Sequence, residues 1–91
     1  MMTPADVAAA WWRAHKWGEL PMLTIYERPD EFPDEYVAQL WLMRRGAPVM
    51  TGMVLRAASL ETLRAMLPPS LHCLPREPSD EESIVETWVC G

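Results

Sequence analysis

The chain is poor in residues that bind phosphate groups. Its four glycines are isolated, so the sequence has no glycine-rich loop of the kind that cradles phosphates. Lys16 is the only lysine, and 13 acidic residues against 8 basic ones give a formal net charge of −5 at pH 7. Because a basic face provides most of the affinity for nucleic acids, we expect no nucleic-acid partner.

Long apolar runs are also missing. No apolar segment approaches the roughly 18 residues that a transmembrane helix requires. The N-terminus does not match a signal peptide, because Asp6 lies where positive charge is needed and Arg13 ends a short apolar stretch. We therefore expect a cytoplasmic protein that does not bind membranes.

Cysteine is scarce, and Cys73 and Cys90 are too few for a disulfide framework. A bridge between them requires an oxidising compartment, so we expect free thiols. A zinc site needs spaced ligands, whereas His72 is adjacent to Cys73 and Cys90 is expected in a free tail. A nucleophilic pairing of Cys73 with His15 or His72 lacks a third residue to orient the base. We predict no metal, no cofactor and no catalytic residue.

Acidic residues are the most abundant charged type. Paired carboxylates can serve acid–base catalysis, and the candidates are Asp34 with Glu35 and the group Glu81, Glu82 and Glu86. Enzymes hold such pairs in a cleft, whereas these residues fall mostly in segments rich in proline and charge. We interpret the segments as solvated loops and predict that the protein is not an enzyme.

Three arginines cluster around the predicted hairpin. Arg44, Arg45 and Arg56 could bind an anion through charge-assisted hydrogen bonds. We expect them instead to shield exposed strand edges from aggregation or to pair with the acidic loops.

Tryptophan and methionine are abundant for a chain of 91 residues, and 49% of the residues are hydrophobic, which is typical of one globular domain. Each tryptophan ring can bury roughly 150–250 Å² in a thin core. Tryptophan is also enriched at protein interfaces. The candidate interface residues are therefore the five tryptophans: Trp11, Trp12, Trp17, Trp41 and Trp88.

The first predicted element is a helix over residues 3–17. Thr3 can cap it, Pro4 suits its first position, and the Asp6 side chain can bond back to the cap. Gly18 can end it in the left-handed conformation. Local signals therefore mark both ends of this helix.

A short strand, Met22–Tyr26, precedes an acidic, proline-rich loop in which Phe32 is the apolar residue able to anchor the loop. A hairpin is predicted over residues 36–57, with Tyr36–Arg44 as its first strand and either a bulge or a close side-chain approach at Gly52 in its second. Tyr36–Arg44 is apolar on both faces. The helix that follows the hairpin cannot cover both faces alone, so the first helix or a second protomer must cover the rest.

The last third of the chain completes the fold. Ser59 can cap a second helix, predicted over residues 59–67. Leu71–Leu74 is interpreted as an apolar connector, and Pro75–Ser83 as an acidic surface loop. The final element is a strand over residues 84–89, which we expect to pair with a strand of the hairpin.

Together these elements predict a single α+β domain over residues 1–91. The order is α-β-β-β-α-β, with both helices packed on a mostly antiparallel sheet of three or four strands. The order α-β-β-β-α superficially resembles double-stranded-RNA-binding domains, but these need a basic helix start and a basic loop. Here the second helix opens with Ser59-Leu60-Glu61, so we set that function aside.

The composition favours a non-enzymatic protein–protein interaction module that self-associates, because tryptophan and methionine are enriched at interfaces. A homodimer through the first helix or an edge strand is the simplest form. A second hypothesis is an acidic inhibitor or nucleic-acid mimic, of the kind that phages and mobile elements encode, which binds a basic protein surface. A third is a small ligand-binding or enzymatic domain with its site at a dimer interface.

Overall fold

The computed structural model describes residues 3–80 and 82–90 and contains two helices and a five-stranded sheet. In chain order the elements are α1 (Pro4–Lys16), β1 (Leu20–Glu27), β2 (Tyr36–Arg44), β3 (Ala47–Ala57), α2 (Leu60–Ala65), β4 (Leu71–Pro75) and β5 (Ile84–Cys90). The strands lie in the order β3-β2-β1-β5-β4, and all neighbours are antiparallel. The α+β class and the order of the predicted elements are confirmed, and the number of strands is corrected to five.

The additional strand is β4, in the segment that we interpreted as a connector. Leu71 pairs with Cys90 and Pro75 with Glu86, so β4 lies antiparallel to β5 along its whole length. Leu71 packs against the core, and alternation places Cys73 on the same side. A five-residue strand at a sheet edge carries too short an alternating pattern to be distinguished from a connector.

The final strand, β5, lies between β1 and β4, so the prediction that it pairs with the hairpin is wrong. β2 has no free edge, because it pairs with β1 on one side and with β3 on the other. The outer strand β3 is irregular, since residues 51–53 oppose Leu40 alone and Gly52 has a φ of 80°. This bulge disfavours further pairing with the outer edge of β3.

Helix α1 begins as its sequence predicts. The Thr3 hydroxyl accepts a hydrogen bond from the Asp6 amide at 3.2 Å, and the Asp6 carboxylate accepts one from the Thr3 amide at 3.0 Å. These bonds complete a capping box and lower the pKa of Asp6. The helix ends at Lys16, and Gly18 follows with a φ of 79°.

Helix α2 is shorter than predicted. The Ser59 hydroxyl caps it by accepting a hydrogen bond from the third following backbone amide at 3.2 Å. The helix ends at Ala65 rather than at residue 67. The Met66 amide bonds to the Leu63 carbonyl at 3.0 Å, which is the tighter turn common at helix ends.

Both helices pack on the same face of the sheet. The buried core joins residues of the two helices to alternate residues of three strands: Val7, Trp11, Leu23, Ile25, Ala38, Leu40, Leu55, Ala57 and Leu63. Leu23 pairs with Leu40 and Ile25 with Ala38, and directly paired residues point to the same side of a sheet. Helix α1 therefore does not cover the second face of Tyr36–Arg44.

Candidate functional site

We call the sheet face that points away from both helices the open face. Its side chains alternate with the core residues along each strand. It consists of Leu20, Met22, Thr24 and Tyr26 of β1, Val37, Gln39, Trp41 and Met43 of β2, and the residues of β3, β4 and β5 that continue the same rows. Most of these side chains are apolar. Thr24 and Val37 are buried by their neighbours, and the other named side chains are partly or fully exposed.

Several large apolar side chains of the open face are in contact with solvent. Leu20 is 47% exposed, Met50 58% and Leu74 41%. Trp41 and Met43, which lie between them, are partly buried by their neighbours. Because soluble monomers rarely expose a large contiguous apolar patch, the open face is the strongest candidate for a binding surface.

A cavity of about 420 Å³ lies on the open face beneath the loop of residues 28–35. Strand β2 forms its floor, and β1, β3 and the loop form its walls. The rings of Tyr26, Phe32 and Trp41 line the cavity together with the Gln39 amide. Its volume falls within the range of small-ligand sites, and aromatic walls favour a flat or cationic group.

The loop over the cavity is fixed at its ends and at its apolar residue. The Arg28 amide donates a hydrogen bond to the Glu35 carbonyl at 2.9 Å and closes the loop. The Arg56 guanidinium lies 4.5 Å from the centre of the Phe32 ring and 3.6 Å from a Glu35 carboxylate oxygen. Phe32 therefore anchors the loop, and Arg56 pairs with an acidic loop as we expected.

The two acidic loops lie side by side at one end of the sheet. The Glu27 amide donates a hydrogen bond to the Ser83 carbonyl at 2.7 Å and joins the first loop to the second. We call residues 27–35 and 76–83 the acidic end. Its described carboxylates are Glu27, Asp30, Glu31, Asp34, Glu35, Glu77, Asp80 and Glu82, and its arginines are Arg28 and Arg76. Asp30 and Glu31 line the cavity.

The carboxylates considered for catalysis lie in different settings. Asp34 and Glu82 are exposed in the acidic end, and Glu35 pairs with an arginine. Glu81 lies outside the described residues. Glu86 is buried on the helix side of the sheet, far from the open face. The described members of the two groups therefore do not share one cleft.

The other end of the sheet is basic. We call Arg13, Lys16, Arg44 and Arg45 the basic end, where α1 leads into β1 and where β2 turns into β3. Arg44 forms an ion pair with Glu19, the acidic residue of this end. Arg45 and Gly46 form the turn between β2 and β3 and have φ values of 50° and 78°, the combination found in two-residue type I′ hairpins.

A charged cluster joins α2 to β5 on the helix side. Glu86 is 5% exposed, and its carboxylate accepts hydrogen bonds from Arg64 Nε at 3.0 Å, Arg64 Nη2 at 2.6 Å and Trp88 Nε1 at 2.6 Å. The Arg64 bonds lower the pKa of Glu86 despite its burial. The Glu86 carboxylate occupies a core-facing position of its strand, and a carboxylate at such a position indicates that a cationic partner must lie nearby.

The cysteines and histidines meet in combinations that the sequence did not indicate. Cys90 is the last residue of β5 rather than part of a free tail, and its Sγ lies 3.6 Å from His15 Nδ1. Both cysteines are free thiols. Burial and the neighbouring Glu86 raise the pKa of Cys73, which makes it a poor nucleophile at neutral pH. No group of three potential ligands that could hold a metal ion occurs among residues 3–80 and 82–90.

The five tryptophans occupy different environments. Trp11 is fully buried in the core and offers no surface to a partner. Trp88 packs against the core and bonds to a buried carboxylate. Trp12 and Trp17 are exposed on the side of α1, 43% and 73% respectively. Trp41 alone belongs to the open face and lines its cavity.

Comparisons of the chain with protein-family models, with curated proteins and with solved structures give no significant match. Within the described part of the chain, no helix has both the length and the apolar character needed to cross a membrane. The function must therefore be inferred from the open face, its cavity and the two charged ends.

Proposed function

We propose that this protein is a non-enzymatic protein–protein interaction module that self-associates through the open face. The observation that carries the proposal is the placement of both helices on one side of the sheet, which leaves Trp41 and Met50 on an apolar surface. Burial of apolar surface contributes roughly 25 cal/mol per Å². A second copy offers the same surface, which is the requirement for a two-fold symmetric interface.

The open face has the dimensions of a dimer interface. Five strands spaced about 4.8 Å apart, each of about eight residues, span roughly 24 by 26 Å. This is a flat area of about 600 Å², to which the protruding side chains add further surface. Standard interfaces bury about 800 Å² on each partner. Two such faces would pack about 10 Å apart, like the two sheets of a β-sandwich.

The sheet edges and helix α1 are less suited to self-association than the open face. The outer strand β3 contains Pro48 and the bulge at Gly52, and β4 is short and ends at Pro75. Such features protect strand edges from pairing. Trp12 is exposed on α1, and Trp17 follows α1 and borders a groove of about 200 Å³, which is smaller than the cavity on the open face. We therefore favour the face over the edge strand or first helix that we expected from the sequence.

A charge on the open face is expected to dissociate the dimer. We predict that Leu20→Glu raises the dissociation constant by at least about 30-fold, because Leu20 is exposed on the middle strand of the open face and a carboxylate there would be buried without a partner. Sedimentation equilibrium over a range of concentrations measures this constant, and circular dichroism checks that the variant is folded. Trp17→Glu introduces the same charge on the helix side of the sheet and is expected to leave the dissociation constant unchanged. A wild-type protein that stays monomeric at high concentration, or dissociation by Trp17→Glu alone, would contradict the proposal.

The proximity of the two acidic loops supports a second candidate function, binding to a basic protein surface. The hydrogen bond between Glu27 and Ser83 brings both loops together into one acidic surface. Affinity for a basic probe, such as polylysine, would then fall steeply as salt is added. Weak binding that does not respond to salt would exclude this candidate and leave self-association.

A further inference from the structure

We propose that the cavity beneath the loop of residues 28–35 receives the Arg45 side chain of a second copy. This inference rests on the proposed self-association and specifies its geometry. The two open faces pack with their strands antiparallel, so that the acidic end of each copy lies over the basic end of the other. The dimer then contains two identical arginine contacts.

The charge distribution selects the antiparallel arrangement. A two-fold axis parallel to the strands would place acidic end over acidic end and basic end over basic end. A two-fold axis perpendicular to the strands, in the plane of the interface, places Arg45, the residue of the basic end that lies on the side of the open face, over the acidic end of the other copy. Like charges brought together at an interface cost several kcal/mol, whereas complementary charges fix the register.

The spacing along β2 places Arg45 over the cavity. Trp41 lies four residues before Arg45 and four residues after Val37, which is one of the residues that line the cavity. At a rise of about 3.3 Å per residue, each interval is about 13 Å. A two-fold axis that passes beside Trp41 therefore brings Arg45 of one copy to the part of β2 in the other where the loop covers Val37 and the cavity lies.

The cavity has the chemistry to bind a guanidinium group. Asp30 and Glu31 supply carboxylates, and the Gln39 side chain supplies an amide oxygen. The five N–H donors of a guanidinium can use all of these acceptors. The ring of Phe32 already holds the intramolecular Arg56 at 4.5 Å, and Tyr26 offers a second ring for a cation–π contact.

One cation, Arg28, also lines the cavity. Two carboxylates in the lining outweigh it, and Asp80 and Glu82 lie in the adjacent acidic loop. The local charge is therefore negative even with Arg28 in place. A second guanidinium is attracted to this site, whereas an anion is repelled.

The turn that contains Arg45 departs from the usual residue preference of its turn type. In a type I′ turn the first central residue has a positive φ, so asparagine, aspartate or glycine is favoured there. Arg45 instead holds a φ of 50° beside Gly46 and is exposed. Departures from local preference are expected where a side chain serves another purpose. Contact with a second copy provides such a purpose.

Charge reversal tests the contact. Arg45→Glu is expected to raise the dimer dissociation constant at least about 30-fold, because it places a carboxylate among carboxylates. Combining Arg45→Glu with Asp30→Lys and Glu31→Lys is expected to recover most of the lost affinity. Arg13→Glu makes the same change in net charge at the basic end but away from the open face, and is expected to change the constant by less than about threefold.

Sedimentation equilibrium of the full chain at two salt concentrations distinguishes the outcomes. A dimer that Arg45→Glu weakens and the combined reversal restores supports the contact. A dimer that Arg45→Glu does not weaken, or that Arg13→Glu weakens equally, overturns the arginine contact and leaves self-association intact. A wild-type chain that is monomeric throughout overturns both.

Discussion

Replacing Trp11 by alanine is expected to be the most damaging single change in this protein. Trp11 is fully buried and joins α1 to the core side of the sheet. Truncation of a buried tryptophan costs about 3–5 kcal/mol, because contacts are lost and a cavity remains. The free energy of unfolding of a chain of this size is about 5–14 kcal/mol. The loss is therefore a large part of the total stability.

The neighbouring tryptophan provides the control. Trp12 lies one position further along the same helix and is 43% exposed, so Trp12→Ala is expected to cost less than about 1 kcal/mol. Urea unfolding followed by circular dichroism measures both variants at one fixed protein concentration, since self-association would raise apparent stability. Equal losses for the two variants would show that α1 does not pack as described.

A milder variant separates packing from hydrogen bonding at the same position. The Trp11 Nε1–H has no hydrogen-bond partner among the described residues. A buried donor left unpaired costs about 1–3 kcal/mol. Trp11→Phe removes this donor and keeps most of the ring, so we expect it to cost less than half as much as Trp11→Ala.

Removing Arg64 is expected to give the second largest loss of stability. Arg64 donates two hydrogen bonds to Glu86, whose carboxylate is buried. The Arg64 side chain itself is 43% exposed, so water moderates the effect. We expect Arg64→Met to lower the free energy of unfolding by about 2–3 kcal/mol, because it leaves a buried charge with the Trp88 indole and the Cys73 thiol as its remaining donors.

Replacing both partners separates the cost of the buried charge from the loss of packing. The double variant Arg64→Met, Glu86→Leu removes the charge together with its partner and is expected to be more stable than Arg64→Met alone. Arg76→Met removes an exposed arginine that bonds to the Asp80 carbonyl, and is expected to change stability by less than about 0.5 kcal/mol. A double variant less stable than Arg64→Met would mean that the pair is not the source of the effect.

The same pair makes stability depend on pH. The Arg64 bonds hold the pKa of Glu86 below the ordinary value of 4.5 in the folded state. The stability that the Arg64–Glu86 pair contributes is therefore fully present above about pH 4.5. It is lost as pH falls through the lower folded-state pKa of Glu86. Urea unfolding between pH 7 and pH 3 should show a smaller acid-induced loss for Glu86→Gln than for the wild type. Parallel pH profiles would exclude this role for Glu86.

Several features of the fold could be predicted from the sequence because their causes are local. The capping box of Thr3 and Asp6 fixes the start of α1 through two residues that lie within one helical turn of each other. Gly18 and Gly46 mark positions of left-handed backbone. The apolar run of Tyr36–Arg44, which is bounded by charged residues, predicted both the strand and its bounds. Each of these features depends on residues within a few positions of each other.

The candidate site could be predicted only in part. The sequence showed that Tyr36–Arg44 is apolar on both faces, and Trp41 was among the candidate interface residues. It did not show that Phe32 would hold a loop over Trp41 and enclose a cavity. The contact of Arg64 with Glu86 and that of His15 with Cys90 also join distant segments that no local pattern relates.

Local sequence patterns account for the α+β class, the helix caps and the apolar character of β2. The tertiary structure alone decided that α1 joins α2 on one side of the sheet, that β5 pairs with β1, and that the acidic loops meet at one end. Caps and alternation act through neighbouring atoms, whereas the side taken by a helix and the order of strands depend on packing between segments far apart in the chain. For this protein, that packing leaves one apolar face of the sheet open.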